Sequence, residues 1–222
     1  MRQDGWAGGP SVATRGGESE LVLGLGGDLS GRRFLDAACG DGAYLVEAAR
    51  QGAAATGVDP IDPLLAVARR RAADRGVAVD LLRAEATALP FEDETFDVAF
   101  MVTVLSSLGD PLRAVAEAAR VLRPGGRLVI GEPGRSVLWR EWQLRWGWMG
   151  EQQGRHPTFL SPRRLSTMLE RAGLIGETRR GIDRHPPVAA APSPSADSYS
   201  GRPTGVTCGA GFVAMAAVKP RD

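Results

Sequence analysis

Eight residues, Leu35-Asp36-Ala37-Ala38-Cys39-Gly40-Asp41-Gly42, join an apolar run to an acid and a turn of small residues. A buried strand that ends there and feeds a helix lets a ligand approach the backbone, because small side chains leave room and a helix N-terminus offers unpaired N–H groups. Gly40 and Gly42 make a Gly-x-Gly turn, but Leu45 stands where a dinucleotide fingerprint needs its third glycine. That departure disfavours a pyrophosphate cofactor. Asp59 lies 17 residues after Gly42, at the end of the next apolar run. An acid in that place can take both hydroxyls of a ribose. The alternative use, capping the following helix, is filled better by Asp62.

These residues need strands and helices to place them. Arg33 to Ala37 reads as a short buried strand and Ala43 to Gln51 as a helix ended by Gly52. Ala53 to Asp59 reads as the second strand, and Asp62-Pro63 opens a helix to Arg75 as N-cap and first helical residue. Val77–Arg83, Phe96–Val104 and Arg127–Gly131 give three more strands, the last after a tight Pro124-Gly125-Gly126 turn. Pro111–Leu122 is a helix capped by Asp110. Ser161-Pro162 opens a helix to Arg171, followed by strands at Leu174–Gly181 and Ala210–Val218. Strands alternating with helices of ten to fourteen residues mean βαβ units, hence a doubly wound, mostly parallel seven-stranded sheet with helices on both faces. Such sheets bind ligands at the carboxyl ends of their strands, where strand order reverses.

The remaining chain divides into an N-terminal arm and short helix over 1–31, with Glu20–Leu29 as the helix, and one domain over 32–222. Within that domain, 135–157 reads as a lid or substrate-cap insertion and the Pro/Ala/Ser-rich 183–208 as a flexible loop.

Composition narrows the function. The 222 residues carry 27 Lys+Arg against 26 Asp+Glu, a net charge of +1. This balance gives no footprint for nucleic acid or an anionic membrane. Two cysteines and two well-separated histidines, His156 and His185, supply no metal-ligand spacing. No apolar run reaches the ~18 residues of a membrane span, and the first twenty residues lack a signal core. These features predict a cytoplasmic protein without a bound metal, as a monomer or homodimer.

The ordered blocks resemble the class I S-adenosylmethionine-dependent methyltransferases of the small-molecule type. Leu35–Gly42 resembles that family's first motif and Gly57-Val58-Asp59 its second-strand acid. Glu85-Ala86-Thr87-Ala88-Leu89-Pro90-Phe91 resembles its Asp-Ala-x-x-Leu-Pro-Phe stretch, Phe96-Asp97-Val98 its fourth strand, Leu122 to Leu128 the turn before strand five, and 159–174 its late helix. Two departures stand out. Ala38 replaces the family's glycine, tolerable where φ is negative, and Glu85 replaces its aspartate. The resemblance implies an antiparallel last strand and S-adenosyl-L-methionine as cofactor. It also implies residue roles: Asp36 ordering the loop and facing the sulfonium or amino group, backbone of Ala38 and Gly40 flanking the methionine part with Gly42 in the same turn, and Asp59 on the ribose. Ile61 would lie on one adenine face, Glu85 and the Ala86 N–H at the adenine edge, and the Met101 carbonyl near the methionine amine. Asp97 would serve the architecture.

The expected activity is transfer of a methyl group to an O, N or C atom of a small organic acceptor by in-line displacement, which asks the protein mainly for alignment and exclusion of water. Where the acceptor must lose a proton, His156 is the candidate base. Trp139, Trp142 and Trp146 fall on one face of a predicted helix over Ser136–Met149, either packing on the core or walling a planar substrate. Asn/Asp-Pro-Pro-Tyr/Phe after strand four, which serves methylation of base amino groups, is absent; so are a Pro-Cys pair there and the cysteine set of arsenite methylation. Two rivals stay open: a catalytically inactive S-adenosylmethionine-binding partner or regulator, and a nucleotide-dependent oxidoreductase.

Overall fold

Short apolar runs separated by helices build the sheet that the sequence leads one to expect. The computed structural model describes residues 17–134, 158–182 and 212–221. Within these, α1 (Gly17–Gly26) precedes β1 (Arg33–Ala37), α2 (Ala43–Arg50), β2 (Ala54–Val58), α3 (Asp62–Asp74) and β3 (Asp80–Leu82). Then come β4 (Phe96–Val102), a 3-10 turn (Leu105–Ser107), α4 (Pro111–Val121), β5 (Leu122–Pro133), α5 (Pro162–Arg171), β6 (Ile175–Ile182) and β7 (Phe212–Val218). The strands form one seven-stranded sheet in the order β3-β2-β1-β4-β5-β7-β6. Strands β1 to β5 pair in parallel, and β7 runs antiparallel between β5 and β6. The chain grows outward from β1 to β3, then returns to the other side of β1, so strand order reverses between β1 and β4. A crevice opens at the carboxyl ends of strands at such a reversal.

Alternation along the central strands divides the core in two. Leu35, Ala37, Ala99, Met101, Leu128 and Ile130 face α4 and α5, all buried. Phe34, Val98, Phe100, Val102 and Val129 face α1 and α2. Phe34 and Phe100 meet edge to face with ring centroids 4.8 Å apart, and burying each such ring contributes about 2–3 kcal/mol. Glycine lets α1 lie close: a Cβ on Gly26 would stand 2.9 Å from the Phe100 ring. The helix therefore spans Gly17–Gly26 rather than Glu20–Leu29, and stops where Gly27 turns to φ +76°.

Caps explain where α4 and α5 begin. Asp110 accepts from the Arg113 N–H at 3.0 Å and Ser161 from the Arg164 N–H at 3.2 Å, each with proline at the next position. At α3 the expectation fails. Ile61 is the N-cap and no side chain caps the helix; Asp62 sits in the first turn and pairs with exposed Arg83 at 3.3 Å. The third strand shrinks to Asp80–Leu82, an edge strand with one neighbour. Strand β5 is longer than expected. Leu122 already pairs with Phe96, the register slips over Pro124–Gly126, and pairing resumes at Arg127. The N-terminal arm, the Ser136–Met149 helix, the insertion at 135–157 and the loop at 183–208 lie outside the described residues.

Candidate active site

The register sets the site's floor. Asp36 lies opposite Gly57 on β2 and Phe100 on β4, and Ala37 opposite Val58. The chain leaving β1 therefore enters the crevice flanked by the ends of both neighbours. The N–H groups of Ala38 and Cys39 both reach the Val58 carbonyl, each at 2.9 Å, which pulls the turn tight against β2. Ala38 consequently has φ +75°. The condition of a negative φ is not met: the methyl group sits in left-handed backbone, at a cost of roughly 1–2 kcal/mol for a non-glycine residue. Gly40 (φ +53°) and Gly42 (φ +76°) continue the turn. Their reasons differ. A Cβ on Gly42 would stand 2.7 Å from the Ala68 Cβ, so it is needed for α2 to meet α3, whereas a Cβ on Gly40 would meet nothing within 4 Å and would project into open space. Arg71 on α3 clamps the same loop, its two terminal nitrogens 3.2 and 2.9 Å from the two Asp41 oxygens.

Two buried acids face each other across this turn. Asp59 is 5% exposed. Its Oδ2 accepts from the Gly40 N–H at 3.0 Å and its Oδ1 from the Ile61 N–H at 2.9 Å. Each oxygen thereby keeps one further lone pair in the plane of the carboxylate. Burial raises Asp59 above the ordinary aspartate range, the two N–H donors lower it, and nearby Glu85 raises it again. Asp36 is 3% exposed. Burial, then Asp59, then Asp41 push it up to about 8, against the Leu45 N–H that donates to it. Leu45 is the third residue of α2, whose N-cap Gly42 has no side chain to offer. Asp36 thus supplies the acceptor that the helix start lacks.

The segment after β3 is held from below. The Leu89 N–H donates to Glu117 at 2.9 Å. Arg120 reaches the Phe91 carbonyl at 2.7 Å, the Leu89 carbonyl at 3.0 Å and Asp93 at 2.8 Å, and Arg113 reaches the Thr87 carbonyl at 2.9 Å. Side chains of α4 therefore fix 87–93, and just before it Glu85 is exposed and Ala86 buried. Met101 is fully buried one residue before the end of β4. Asp97, away from the crevice, accepts from the Arg33 N–H at 2.7 Å and pairs with Arg123, the architectural role expected of it. His156, Trp139, Trp142 and Trp146 lie outside the described residues. A depression of about 400 Å³ lies at the opposite edge of the sheet, lined by Gly125, Arg127, Glu177 and Lys219 among others. Two of its three cations are engaged, Arg127 with Glu177 at 2.9 Å and Lys219 with the Leu122 carbonyl at 2.7 Å.

The family profile described as "Methyltransferase domain" matches residues 35–130, the span from β1 through β5 that carries these acids. The chain is 31% identical over 179 residues to the ubiquinone biosynthesis O-methyltransferase of Ruegeria pomeroyi, covering 77% of this chain and 71% of that one. The chain belongs to the class I S-adenosylmethionine-dependent methyltransferases. A second methyltransferase relative, the demethylmenaquinone methyltransferase of Thermus thermophilus, is 43% identical over 103 residues, 46% of this chain and 47% of that protein. The chain spans about half to two thirds of the length of the first curated methyltransferases it matches. Among solved structures, a possible histamine N-methyltransferase of Thermotoga maritima superposes with TM-score 0.60 at 28% identity, covering 85% of this chain and 82% of that one. The [4+2]-cyclase SpnF has TM-score 0.67 at 23% identity, covering 91% of this chain and 80% of the cyclase. That likeness shows the methyltransferase fold alone, and the same fold in a cyclase means that the fold does not by itself fix the reaction.

Three parts of the site were not foreseen from the sequence. Glu132, at the end of β5, is buried and takes hydrogen bonds from the turn after β4. Glu117 and Arg120 place the 89–93 segment. Glu18, on the first turn of α1, is a buried carboxyl close enough to bear on the Tyr44 hydroxyl. No spacing rule connects Glu18 to α2 or Glu117 to Leu89, since these contacts arise only when the helices pack.

Proposed function

We propose that this protein transfers a methyl group from S-adenosylmethionine to an O, N or C atom of a small organic acceptor. The observation that carries the reading is Asp59. Each of its oxygens is half used by backbone N–H groups and keeps one lone pair, the requirement for holding two vicinal hydroxyls at once. The open space over Gly40 and the left-handed turn from Ala38 to Gly42 fit the methionine part passing close to backbone. Bound there, S-adenosylmethionine supplies an electrophilic methyl group on a cationic sulfur.

The chain's own residues then have separate tasks. Asp59 holds the ribose. Ile61 covers one adenine face, while Glu85 and the Ala86 N–H take the adenine edge, on a segment braced by Glu117 and Arg120. Ala38 and Gly40 offer backbone to the methionine part and the Met101 carbonyl meets its amine. Asp36 supplies negative charge in a site too buried for water to screen it. Neither acid acts as a nucleophile; alignment of acceptor, methyl and sulfur does the catalytic work. His156 remains the proposed base for acceptors that must lose a proton, and Trp139, Trp142 and Trp146 the proposed apolar wall, in an insertion spanning 135–157.

Relatives named for quinone biosynthesis make substituted hydroquinones the first acceptors to try. We place the enzyme in the cytoplasm as a monomer or homodimer; among the described residues no helix is long and apolar enough to cross a membrane. Purified protein given radiolabelled S-adenosylmethionine and a panel of hydroquinones, phenols and amines tests the reading. Label in one acceptor class, with S-adenosylhomocysteine formed in equal amount, is the expected result. Tight binding of both cofactor forms with no transfer to any acceptor would make the chain the inactive binding partner instead.

A further inference from the structure

We infer that Glu132 is the positioning residue for the acceptor side of this cleft, holding the turn after β4 in a shape that its own sequence disfavours. Only the part about the acceptor rests on the methyl-transfer reading. Glu132 is 1% exposed. Its Oε1 accepts from the N–H groups of Val104 and Leu105 at 3.0 and 2.8 Å, and its Oε2 from that of Ser106 at 3.3 Å. The Ser106 hydroxyl bonds to it as well. Four donors from three successive residues thus converge on one carboxylate from the neighbouring strand.

The turn so held begins in strain. Thr103 has φ +57°, a conformation that a β-branched residue adopts rarely and at a cost of about 1–3 kcal/mol. Such a residue persists where its surroundings over-determine it. Here they do: the Thr103 N–H is tied to the Gly131 carbonyl at 2.7 Å, and the next three N–H groups to Glu132. The end of β5 therefore dictates the backbone from Thr103 to Ser106. The Ser106 carbonyl accepts from the Thr158 N–H at 2.7 Å, so the approach to α5 hangs on the same node. With four donors around it, the lone pairs of the carboxylate are taken up in holding this turn.

The consequence is a division of labour. Ribose and adenine contacts sit on the β1–β3 half of the crevice, fixed by Asp59 and α4. The Thr103–Ser107 turn lies on the β4–β5 half, where an acceptor must be held to a fraction of an ångström. In Glu132→Gln the side chain keeps its shape, but its NH₂ is a donor facing N–H donors, so one side of the clamp fails. The turn then relaxes out of the Thr103 strain. Thr103→Gly removes that strain and makes the clamp unnecessary, which a merely structural role for Glu132 does not predict.

Four proteins decide the matter: wild type, E132Q, T103G and the double variant, each with S-adenosylhomocysteine bound. Amide exchange at residues 103–107 accelerates roughly tenfold or more in E132Q, returns toward wild type in the double variant, and stays unchanged at 38–42 and 59–61. Affinity for S-adenosylhomocysteine stays within about threefold throughout. Turnover of any hydroquinone that the wild type methylates falls roughly 10- to 100-fold in E132Q and recovers in the double variant. Unchanged exchange in E132Q, equal loosening across both halves of the crevice, failure of T103G to restore it, or variants that do not fold with or without T103G would each overturn the inference. Exchange is read without an acceptor, so a wild type that methylates nothing defeats the methyl-transfer reading and leaves this result standing on its own.

Discussion

Ligand binding is expected to expel a proton from Asp36. The carboxyl is pushed up to about 8 by burial and by the two acids beside it, Asp59 and Asp41. Below that pH the free protein holds it neutral. A cationic ligand group placed against it favours the charged form, so binding draws on the ionised fraction alone. With a pKa of about 8 that fraction is roughly one in a hundred at pH 6 and one in ten at pH 7, and apparent affinity scales with it. Affinity for S-adenosylhomocysteine should therefore rise about tenfold between pH 6 and 7, with close to one proton released per ligand bound. Calorimetric titration in two buffers of different ionisation enthalpy reads both quantities together. Asp36→Asn should bind more weakly, lose the slope and release no proton. A flat profile in wild type would refute the assignment, and a slope that survives in Asp36→Asn would refute it and move the titration to Asp59. Stability provides a second sign check. A carboxyl raised in the folded state favours folding fully only below the unfolded value near 4, and that contribution is lost as pH climbs toward 8. Asp36→Asn should thus gain thermal stability over wild type progressively from pH 4 to pH 8.

Asp59→Asn keeps the shape but turns one acceptor into a donor against a backbone N–H. It should cost about 1–3 kcal/mol in stability and weaken cofactor binding roughly tenfold or more, read by thermal melting and calorimetry. Ala38→Gly releases the left-handed strain at φ +75°; a gain of up to about 1 kcal/mol, seen as a Tm rise of about 2–4 °C, is expected with affinity unchanged, and a Tm drop would show that the methyl group packs usefully. Arg120→Ala should lower affinity for the cofactor several-fold while leaving the Asp36 pH slope intact, because it loosens 89–93 without touching the β1 turn.

What the sequence revealed and what it hid follow from the range of the interactions. The starts of α4 and α5 were legible because a cap, its proline and its N–H partner lie within four residues, as at Asp110 and Ser161. The first strand and its glycine turn were legible because burial and tight turning both demand small or apolar residues at fixed places. The cap at Asp62 was misread for a related reason. Asp-Pro is a good local start signal, yet the nearby Asp59 carboxylate already holds Ile61, and the chain starts α3 without a side-chain cap. The sign of φ at Ala38 was not legible because it is imposed from outside: the Val58 carbonyl draws two successive N–H groups toward β2 and forces the backbone left-handed whatever residue stands there. Glu132, Glu117 and Arg120 were invisible as site residues because the partners that tie them to the site are mostly backbone groups 26 to 31 positions away. Backbone N–H and C=O groups carry no letter in the sequence. An acid that recognises another side chain leaves two letters to match, whereas an acid that recognises backbone leaves one, and only the folded chain identifies the other. The groups that hold this crevice open are mostly of the second kind, so its chemistry was readable from the sequence before its architecture was.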